Sequence, residues 1–414
     1  MASSIRHAFL VTCTCAASVA QGQALTTLSV AGRSSDNVSV AAQQGFVALA
    51  WSASTSTATD IYVATSRDAG ATFTAPVRVN ATEGDARVSG EQPPRVALLL
   101  SAGATPAIVV VWTARGATGT RLQLSRSTDG GRTFGATEMV PGGQAAGNRG
   151  WESIAVDSAG HVFVLWLDHR ETAAGMHHDA ATTASPADPV AKAQLSQLVI
   201  SRLGKADAQS LARGVCYCCK TSMVATGSSV MAVWRHVFPG SERDIAFAVS
   251  RDDGQTFSPP LRVSADHWQF DGCPENGPAI AVDRQQHAHV AWFTPIGSAD
   301  EQQLALFYAE SKDGRAFSPR VRVPTRGSAG HVQMTVAPDG AILLAWDERE
   351  DGRQQVALAR GRLDSRSQSP TFQPLSVTGG LGAHPVLATT ATGTVMAWVR
   401  KDEQGSTIAV ARVR

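Results

Sequence analysis

The stretch AIVVVW at residues 107–112 is an unbroken apolar run that ends in tryptophan, and six similar runs occur along the chain. They read FVALAW (46–51), HVFVLW (161–166), SVMAVW (229–234), HAHVAW (287–292), AILLAW (341–346) and TVMAW (394–398). Successive tryptophans are 52 to 68 residues apart. A period of that length indicates a repeat architecture whose units are too small to bury their apolar faces alone. The sequence therefore predicts one closed body of similar units rather than two or three unrelated domains.

Each unit follows the same order of short segments. The first contains NVSVAA (37–42), the tryptophan run, DIYVATS (60–66), the turn SRDAGATF (66–73) and VRV (77–79). The apolar runs are continuous rather than alternating, which is typical of strands that are covered on both faces. Each unit is therefore predicted to be a small sheet of four strands.

The number of tryptophan strands predicts the number of sheets. The seventh unit offers only three strands before the chain ends, whereas ALTTLSV (24–30) precedes the first unit and has no unit of its own. Pairing this segment with the last sheet closes the ring and leaves no free edge. The predicted fold class is therefore all-β, a seven-bladed β-propeller whose N-terminal strand closes the last blade. A six-bladed ring with an appended hairpin is the alternative.

The turn between the third and fourth strands has the pattern Ser-x-Asp-x-Gly-x-Thr-Phe, intact three times and shortened by one residue in the fifth unit. Its serine and aspartate are expected to hydrogen-bond the local backbone, its glycine to adopt a positive φ, and its phenylalanine to pack on the sheet. The pattern resembles the Asp-box of the sialidase-like propellers, and the resemblance implies a structural role away from the active face. Its positions are Ser66, Asp68, Gly70 and Phe73; Ser127, Asp129, Gly131 and Phe134; Ser250, Asp252, Gly254 and Phe257; and Ser311, Asp313, Gly314 and Phe317.

Charge and the N-terminus indicate where the protein acts. The formal net charge is +1 and no basic tract stands out, so neither nucleic acid nor an anionic membrane surface is an expected partner. Arg6 and His7 precede an apolar stretch too short to span a bilayer, and SVA (18–20) is a small-residue cleavage site. We therefore expect a signal peptide at 1–20, a single propeller domain at 21–414, no membrane span, and a periplasmic or secreted location.

The four cysteines that follow the signal peptide fall in two short segments. VCYCCK (215–220) contains Cys216, Cys218 and Cys219 and leads into the fourth blade, and DGCPENGP (271–278) contains Cys273 and leads into the fifth. First strands line the central channel of a propeller, so both segments are expected beside its mouth. His331 and His384 open the sixth and seventh blades at nearly equivalent positions, and His267 precedes Cys273 by six residues; these seven residues are the predicted metal ligands.

Thiolates and imidazoles at one channel mouth suit a soft or borderline metal, with Cu(I) first and Zn(II) second. VCYCCK together with WQFDGCPENGP (268–278) resembles a group of bacterial Asp-box proteins, and that resemblance implies copper handling and places copper ahead of zinc. The expected partner is then a metal ion or a metal-delivery protein. Two alternatives stay open: a structural disulfide that joins one of the three clustered cysteines to Cys273, and redox-active thiols.

A set of arginines forms a second constellation. In five blades an arginine follows the tryptophan within four residues, so these arginines are expected at the same rim of the propeller. They are Arg115, Arg170, Arg235, Arg349 and Arg400. Convergent arginines bind carboxylates or sulfates bidentately, which favours an anionic glycan as the alternative partner. Pairing with adjacent acids such as Asp168 and Asp347 is the competing interpretation.

Sialidase activity is not expected. Sialidases place their tyrosine nucleophile late in the chain, but the three tyrosines of this chain all lie at or before Tyr308. The early Arg-Ile-Pro motif of that family is also missing. The sequence therefore favours a metal-binding propeller over an enzyme. The alternatives are a glycoside hydrolase or lyase that acts on an anionic glycan, and a protein-interaction scaffold with a structural disulfide.

Overall fold

The computed structural model describes residues 25–99, 105–172, 189–270, 272, 274–297, 302–362 and 369–413. The predicted signal peptide and Cys273 lie outside these residues. Within them the chain forms 28 strands and one short helix, α1 (Pro189–Gln194). None of the helical structure in these ranges is long and apolar enough to cross a membrane.

The described strands form seven antiparallel sheets of four strands each, which are the blades of a β-propeller. The first three blades are β2 (Ser34–Gln43), β3 (Phe46–Ser54), β4 (Thr59–Ser66) and β5 (Val77–Arg78); β6 (Arg95–Leu99), β7 (Ala107–Gly116), β8 (Gly119–Ser127) and β9 (Glu138–Met139); and β10 (Arg149–Val156), β11 (Val162–Asp168), β12 (Gln197–Arg202) and β13 (Ala208–Arg213). The fourth and fifth are β14 (Ser222–Thr226), β15 (Ser229–Arg235), β16 (Ile245–Ser250) and β17 (Leu261–Arg262); and β18 (Ala279–Val282), β19 (Ala288–Ile296), β20 (Gln303–Ser311) and β21 (Val321–Val323). The sixth is β22 (Ser328–Val336), β23 (Ile342–Glu350), β24 (Arg353–Arg362) and β25 (Thr371–Leu375).

The seventh blade closes the ring. It combines β26 (Ala383–Thr390), β27 (Gly393–Asp402) and β28 (Gly405–Val413) with β1 (Thr26–Leu28) from the N-terminal side of the chain. Thr27 of β1 lies opposite Ala409 of β28, and β2 of the first blade contacts β26 of the last. Both the predicted count of seven blades and the predicted closure by the N-terminal strand are confirmed.

The repeated tryptophan has a common structural role. All seven are almost fully buried, and each packs into a hydrophobic cluster that also contains residues of the preceding blade. Trp112 of the second blade, for example, packs with Ala48 and Ile61 of the first. Truncating such a side chain to alanine typically costs about 3–5 kcal/mol. The tryptophan repeat is therefore the interface between blades, which is why its period reports the blade count.

The Asp-box turns are built from local hydrogen bonds. In the first blade Ser66 Oγ donates to Asp68 Oδ1 (2.7 Å) and accepts from the backbone N–H of Gly70 (2.9 Å). Asp68 also accepts from the backbone N–H and the hydroxyl of Thr72 (2.9 and 2.6 Å). The same contacts recur in the second and fourth blades. Gly70, Gly131, Gly254 and Gly314 all have positive φ, as predicted.

Candidate functional site

Four innermost strands contain a β-bulge near the channel mouth. The register shifts lie between Asp36 and Ser39, Gly150 and Ser153, Gly330 and Gln333, and Ala383 and Val386. One residue in each bulge has a positive φ: Asn37 (57°), Trp151 (55°), His331 (56°) and His384 (52°). Residues other than glycine seldom adopt this conformation, which costs about 1–3 kcal/mol and concentrates at functional sites. Four blades thus carry a strained residue at equivalent positions of the mouth.

Two of these bulges bring their histidines together. The rings of His331 and His384 lie 4.1 Å apart between centroids. His331 Nδ1 is 2.9 Å from Asp347 Oδ2, and the backbone N–H of His384 donates to the same oxygen (2.7 Å). His331 Nε2 faces Glu91 Oε1 at 3.9 Å, and Glu91 Oε2 accepts from the backbone N–H of Lys220 (3.0 Å). Glu91, Lys220, His331, Asp347 and His384 are called the mouth cluster below.

The two histidines have different protonation equilibria. Burial lowers the pKa of His331, but the hydrogen bond and charge of Asp347 and the charge of Glu91 more than offset this, so the pKa rises above 6.5. Burial and the charge of His331 lower the pKa of His384 to about 4. At any given pH His331 therefore holds a proton more readily than His384, and the two rings are in contact, an arrangement that enzymes use for acid–base chemistry.

Cations and unpartnered polar atoms surround this pair. Burial lowers the pKa of Lys220 to about 8, and its Nζ donates to Val332 O (2.8 Å). Glu91 Oε1 and Arg95 Nη2 are buried without a hydrogen-bond partner in the described part of the chain. Buried polar groups are nearly always paired, so these two atoms can accept a hydrogen bond from a polar group at the mouth or donate one to it.

The mouth cluster opens onto the channel axis. Lys220, His331 and His384 line a small cavity together with Asn37 and Arg95. Deeper along the axis a cavity of about 130 Å³ is lined by residues of all seven blades, including Lys220 and Arg95. This volume holds only a few water molecules. A larger ligand would therefore bind over the mouth and not inside the channel.

The clustered cysteines lie behind the mouth, under the junction of the third and fourth blades. Cys216, Cys218 and Cys219 are buried and pack with Ala193 and Val237. Their three sulfurs lie within 4.8 Å of one another, a spacing that would fit a soft metal ion. Cys218 is disulfide-bonded, however, whereas Cys216 and Cys219 are free thiols. All three sulfurs become ligands only after reduction of that bond.

The predicted ligands therefore occur in separate groups. The three cysteines form one, His331 and His384 join Asp347 in a second, and His267 joins Glu242 and Asp244 in a third. His267 Nδ1 lies 2.9 Å from Glu242 Oε1, and the guanidinium of Arg262 contacts both carboxylates of that group.

The five predicted anion-binding arginines differ in their surroundings. Arg170 pairs with Asp168 through Nη2 (2.7 Å). Arg235 is buried, and its guanidinium donates to the backbone carbonyls of Asn276, Arg243 and Phe293. Arg115 and Arg349 are exposed, and Arg400 is half-buried. The cations that line the channel are instead Arg95 and Lys220, neither of which was predicted as a site residue.

Comparison with known proteins supports the fold. No protein-family model matches the chain, and no curated protein matches it. Among solved structures of similar fold is the polysaccharide lyase Uly1, which is 12% identical in sequence. The match spans 92% of this chain and 90% of the Uly1 chain, with a TM-score of 0.54. A ulvan lyase of family PL25 is 11% identical over 92% of this chain and 94% of its own, with a TM-score of 0.53. An intramolecular trans-sialidase from Ruminococcus gnavus is 12% identical over 80% of this chain and 94% of its own, with a TM-score of 0.46. At these identities the likeness to the two lyases establishes a shared β-propeller fold.

Proposed function

We propose that the chain is a carbohydrate-active enzyme, a lyase that cleaves a uronate-containing glycan over the channel mouth. The observation that carries the proposal is the mouth cluster, in which an Asp347-paired His331 touches a second histidine beside two unpartnered buried atoms. A uronate offers what those atoms lack: a carboxylate for Arg95 and hydroxyl donors for Glu91.

The cluster supplies the groups that β-elimination requires. Arg95 and Lys220 would neutralise the uronate carboxylate and so acidify the proton on the adjacent carbon. The neutral ring of His384 would take that proton, and His331 would give one to the departing glycosidic oxygen. The carbon–oxygen bond breaks as the carbon–carbon double bond forms, and the two histidines exchange protonation states.

Elimination suits these residues better than hydrolysis does. A glycoside hydrolase usually needs two carboxyl groups that act separately on the scissile bond. The Asp347 carboxylate already accepts from the backbone N–H of His384 and from Gln354, besides its contact with His331. Two of the structures of similar fold are described as a polysaccharide lyase and a ulvan lyase, which supports the same choice.

A panel of uronate polysaccharides tests the proposal. We expect at least one to yield products with the ultraviolet absorbance of unsaturated uronates, and His384→Gln to lower that rate by about 10²-fold or more. His161→Gln is the matched control, because His161 follows β10 on the opposite side of the propeller and should leave the rate unchanged. Reducing ends without the absorbance would indicate a hydrolase instead, and no product from any glycan would overturn the enzymatic assignment.

Metal handling at the cysteines remains a prediction. The specific observation in its favour is the close group of three sulfurs. Elemental mass spectrometry of protein purified without chelators from copper-supplemented cells measures the metal-to-protein ratio. Near-stoichiometric copper that is lost in Cys216→Ser would support it, and a ratio near zero would contradict it. If the protein neither binds copper nor cleaves any glycan, the remaining hypothesis is a protein-interaction scaffold with a structural disulfide.

A further inference from the structure

Three sulfur atoms meet in one buried place at the entry to the fourth blade. Cys216 Sγ lies 3.6 Å from Cys219 Sγ and 3.9 Å from Cys218 Sγ. Cys218 is disulfide-bonded and the other two are free. A free thiol is thus held against a disulfide sulfur, with a second free thiol beside it.

The surrounding charges stabilise a thiolate at Cys216. Arg243 Nη1 donates to Cys216 Sγ (3.2 Å), and Arg243 and Arg235 are both buried. Within the described residues neither guanidinium forms an ion pair with a carboxylate; Arg235 instead stacks on Trp268. A guanidinium in contact with sulfur favours the anion and disfavours a metal cation at the same atom. The free Cys219 thiol is positioned to donate a further hydrogen bond to that anion.

From this geometry we propose that Cys216, Cys218 and Cys219 form a thiol–disulfide exchange centre. The Cys216 thiolate attacks Cys218 Sγ, a Cys216–Cys218 bond forms, and the bond from Cys218 to its present partner breaks. The partner sulfur leaves as a thiolate with the electron pair of the broken bond. One disulfide and one thiolate exist before and after the step, so it needs no external oxidant or reductant.

The exchange step does not require the proposed glycan chemistry, because none of its sulfurs belongs to the mouth cluster. The centre is linked to that cluster by the backbone, however: Cys219 immediately precedes Lys220, whose N–H binds Glu91. A change of bonding partner at Cys218 would therefore act on the segment that positions Lys220.

Disulfide mapping tests the proposal on the full-length chain. Protein held at acidic pH is shifted to neutral pH without oxidant, quenched with acid at intervals, alkylated, digested and analysed by mass spectrometry. We expect two isomers, with Cys218 bonded in both, and with Cys216 alkylated in one and bonded to Cys218 in the other. The second isomer should be present at neutral pH and be lost in Cys216→Ser, whereas Cys219→Ser should retain it.

A single isomer in which Cys216 is alkylated at every time would overturn the proposal, as would alkylation of Cys218 in the native protein. The wild-type time course decides this without any variant, so poor folding of Cys216→Ser would not prevent the test.

Discussion

At the scale of single residues, the molecule places two histidines of opposite protonation behaviour in contact. His331 and His384 occupy equivalent bulges of neighbouring blades, yet only His331 bonds Asp347 through its ring. His384 reaches the same carboxylate through its backbone N–H, and within the described ranges its ring forms no ion pair with an acid. This difference separates the two pKa values, and no property of the isolated sequence distinguishes the two residues in that way.

The pH dependence of glycan cleavage follows from these pKa values. Activity requires a neutral His384, so kcat/KM should rise with pH through about 4. It also requires a protonated His331, whose pKa is raised above 6.5, so kcat/KM should fall again on the alkaline side of that value. Lys220, whose pKa is about 8 and which faces the same cavity, adds to the alkaline fall. A rate profile on the best substrate of the panel measures both limbs, and an unchanged acid limb in His384→Gln would contradict the assignment.

Only part of the mouth cluster could be predicted from the sequence. His331 and His384 were identifiable because they open the sixth and seventh blades at nearly equivalent positions of the repeat. Glu91 lies in an irregular segment before the second blade, and no motif marks it. Lys220 directly follows the three clustered cysteines, which draw attention away from it. Their shared position depends on the ring bringing the second, fourth and sixth blades to one axis. Residues far apart in sequence converge there, so no spacing pattern reports them.

At the scale of the element, the Asp-box glycine meets two demands at once. Gly131 has a φ of 87°, and a Cβ added to it would lie 2.9 Å from Thr65 Cγ2 in the preceding blade. The sequence predicted the positive φ but not the contact with the neighbouring blade. The Asp-box therefore also limits how closely two blades approach.

Substituting this glycine should separate the two effects. Gly160 has a similar φ of 85° with nothing within 4 Å of an added Cβ, so Gly160→Ala reports the backbone strain alone, about 1–2 kcal/mol. Gly131→Ala adds overpacking against Thr65, so we expect about 2–4 kcal/mol. Denaturant unfolding measures both values. Equal losses for the two variants would show that the contact between blades contributes nothing.

The Asp-box carboxylates should make the fold sensitive to acid. Burial raises the pKa of Asp68, but hydrogen bonds from Thr72, Ser66 and Ala71 together outweigh it and lower the pKa to about 2, from an ordinary value of 3.8. Hydrogen bonds from Thr256 lead the causes that lower the pKa of Asp252 to about 2. A lowered pKa in the folded state contributes stability above pH 3.8, which is lost as the pH falls through about 2.

Thermal unfolding between pH 5 and pH 2 measures this contribution. The melting temperature of the wild type should fall over that range, and it should fall less steeply in Asp68→Asn, which has no charge to lose there. Parallel curves for the two proteins would exclude Asp68 as a source of the acid sensitivity.

At the scale of the whole molecule, the fold was far more predictable than the site. The seven tryptophans specify the blade count because each packs against the preceding blade, so a local pattern reports a repeated tertiary contact. The unpaired N-terminal segment predicted the closure because a ring of four-stranded blades leaves one strand unassigned. Function has no such periodic signal, since the mouth cluster uses residues that differ from blade to blade.

Closure of the ring by β1 (Thr26–Leu28) gives the last test. A chain that begins at residue 31 lacks β1, exposes the edge of β28 and removes Leu28, which packs with Val410 and Trp51 between the seventh and first blades. Loss of one such buried leucine costs about 2–5 kcal/mol, and an exposed strand edge promotes association. We therefore expect a lower unfolding midpoint and concentration-dependent oligomers in light scattering, whereas the control chain that begins at residue 25 should match the longer protein. If the chain that begins at residue 31 is instead a monomer of unchanged stability, contacts between the blades hold the ring closed without β1. The pairing of β1 with β28 would then add nothing to the closure.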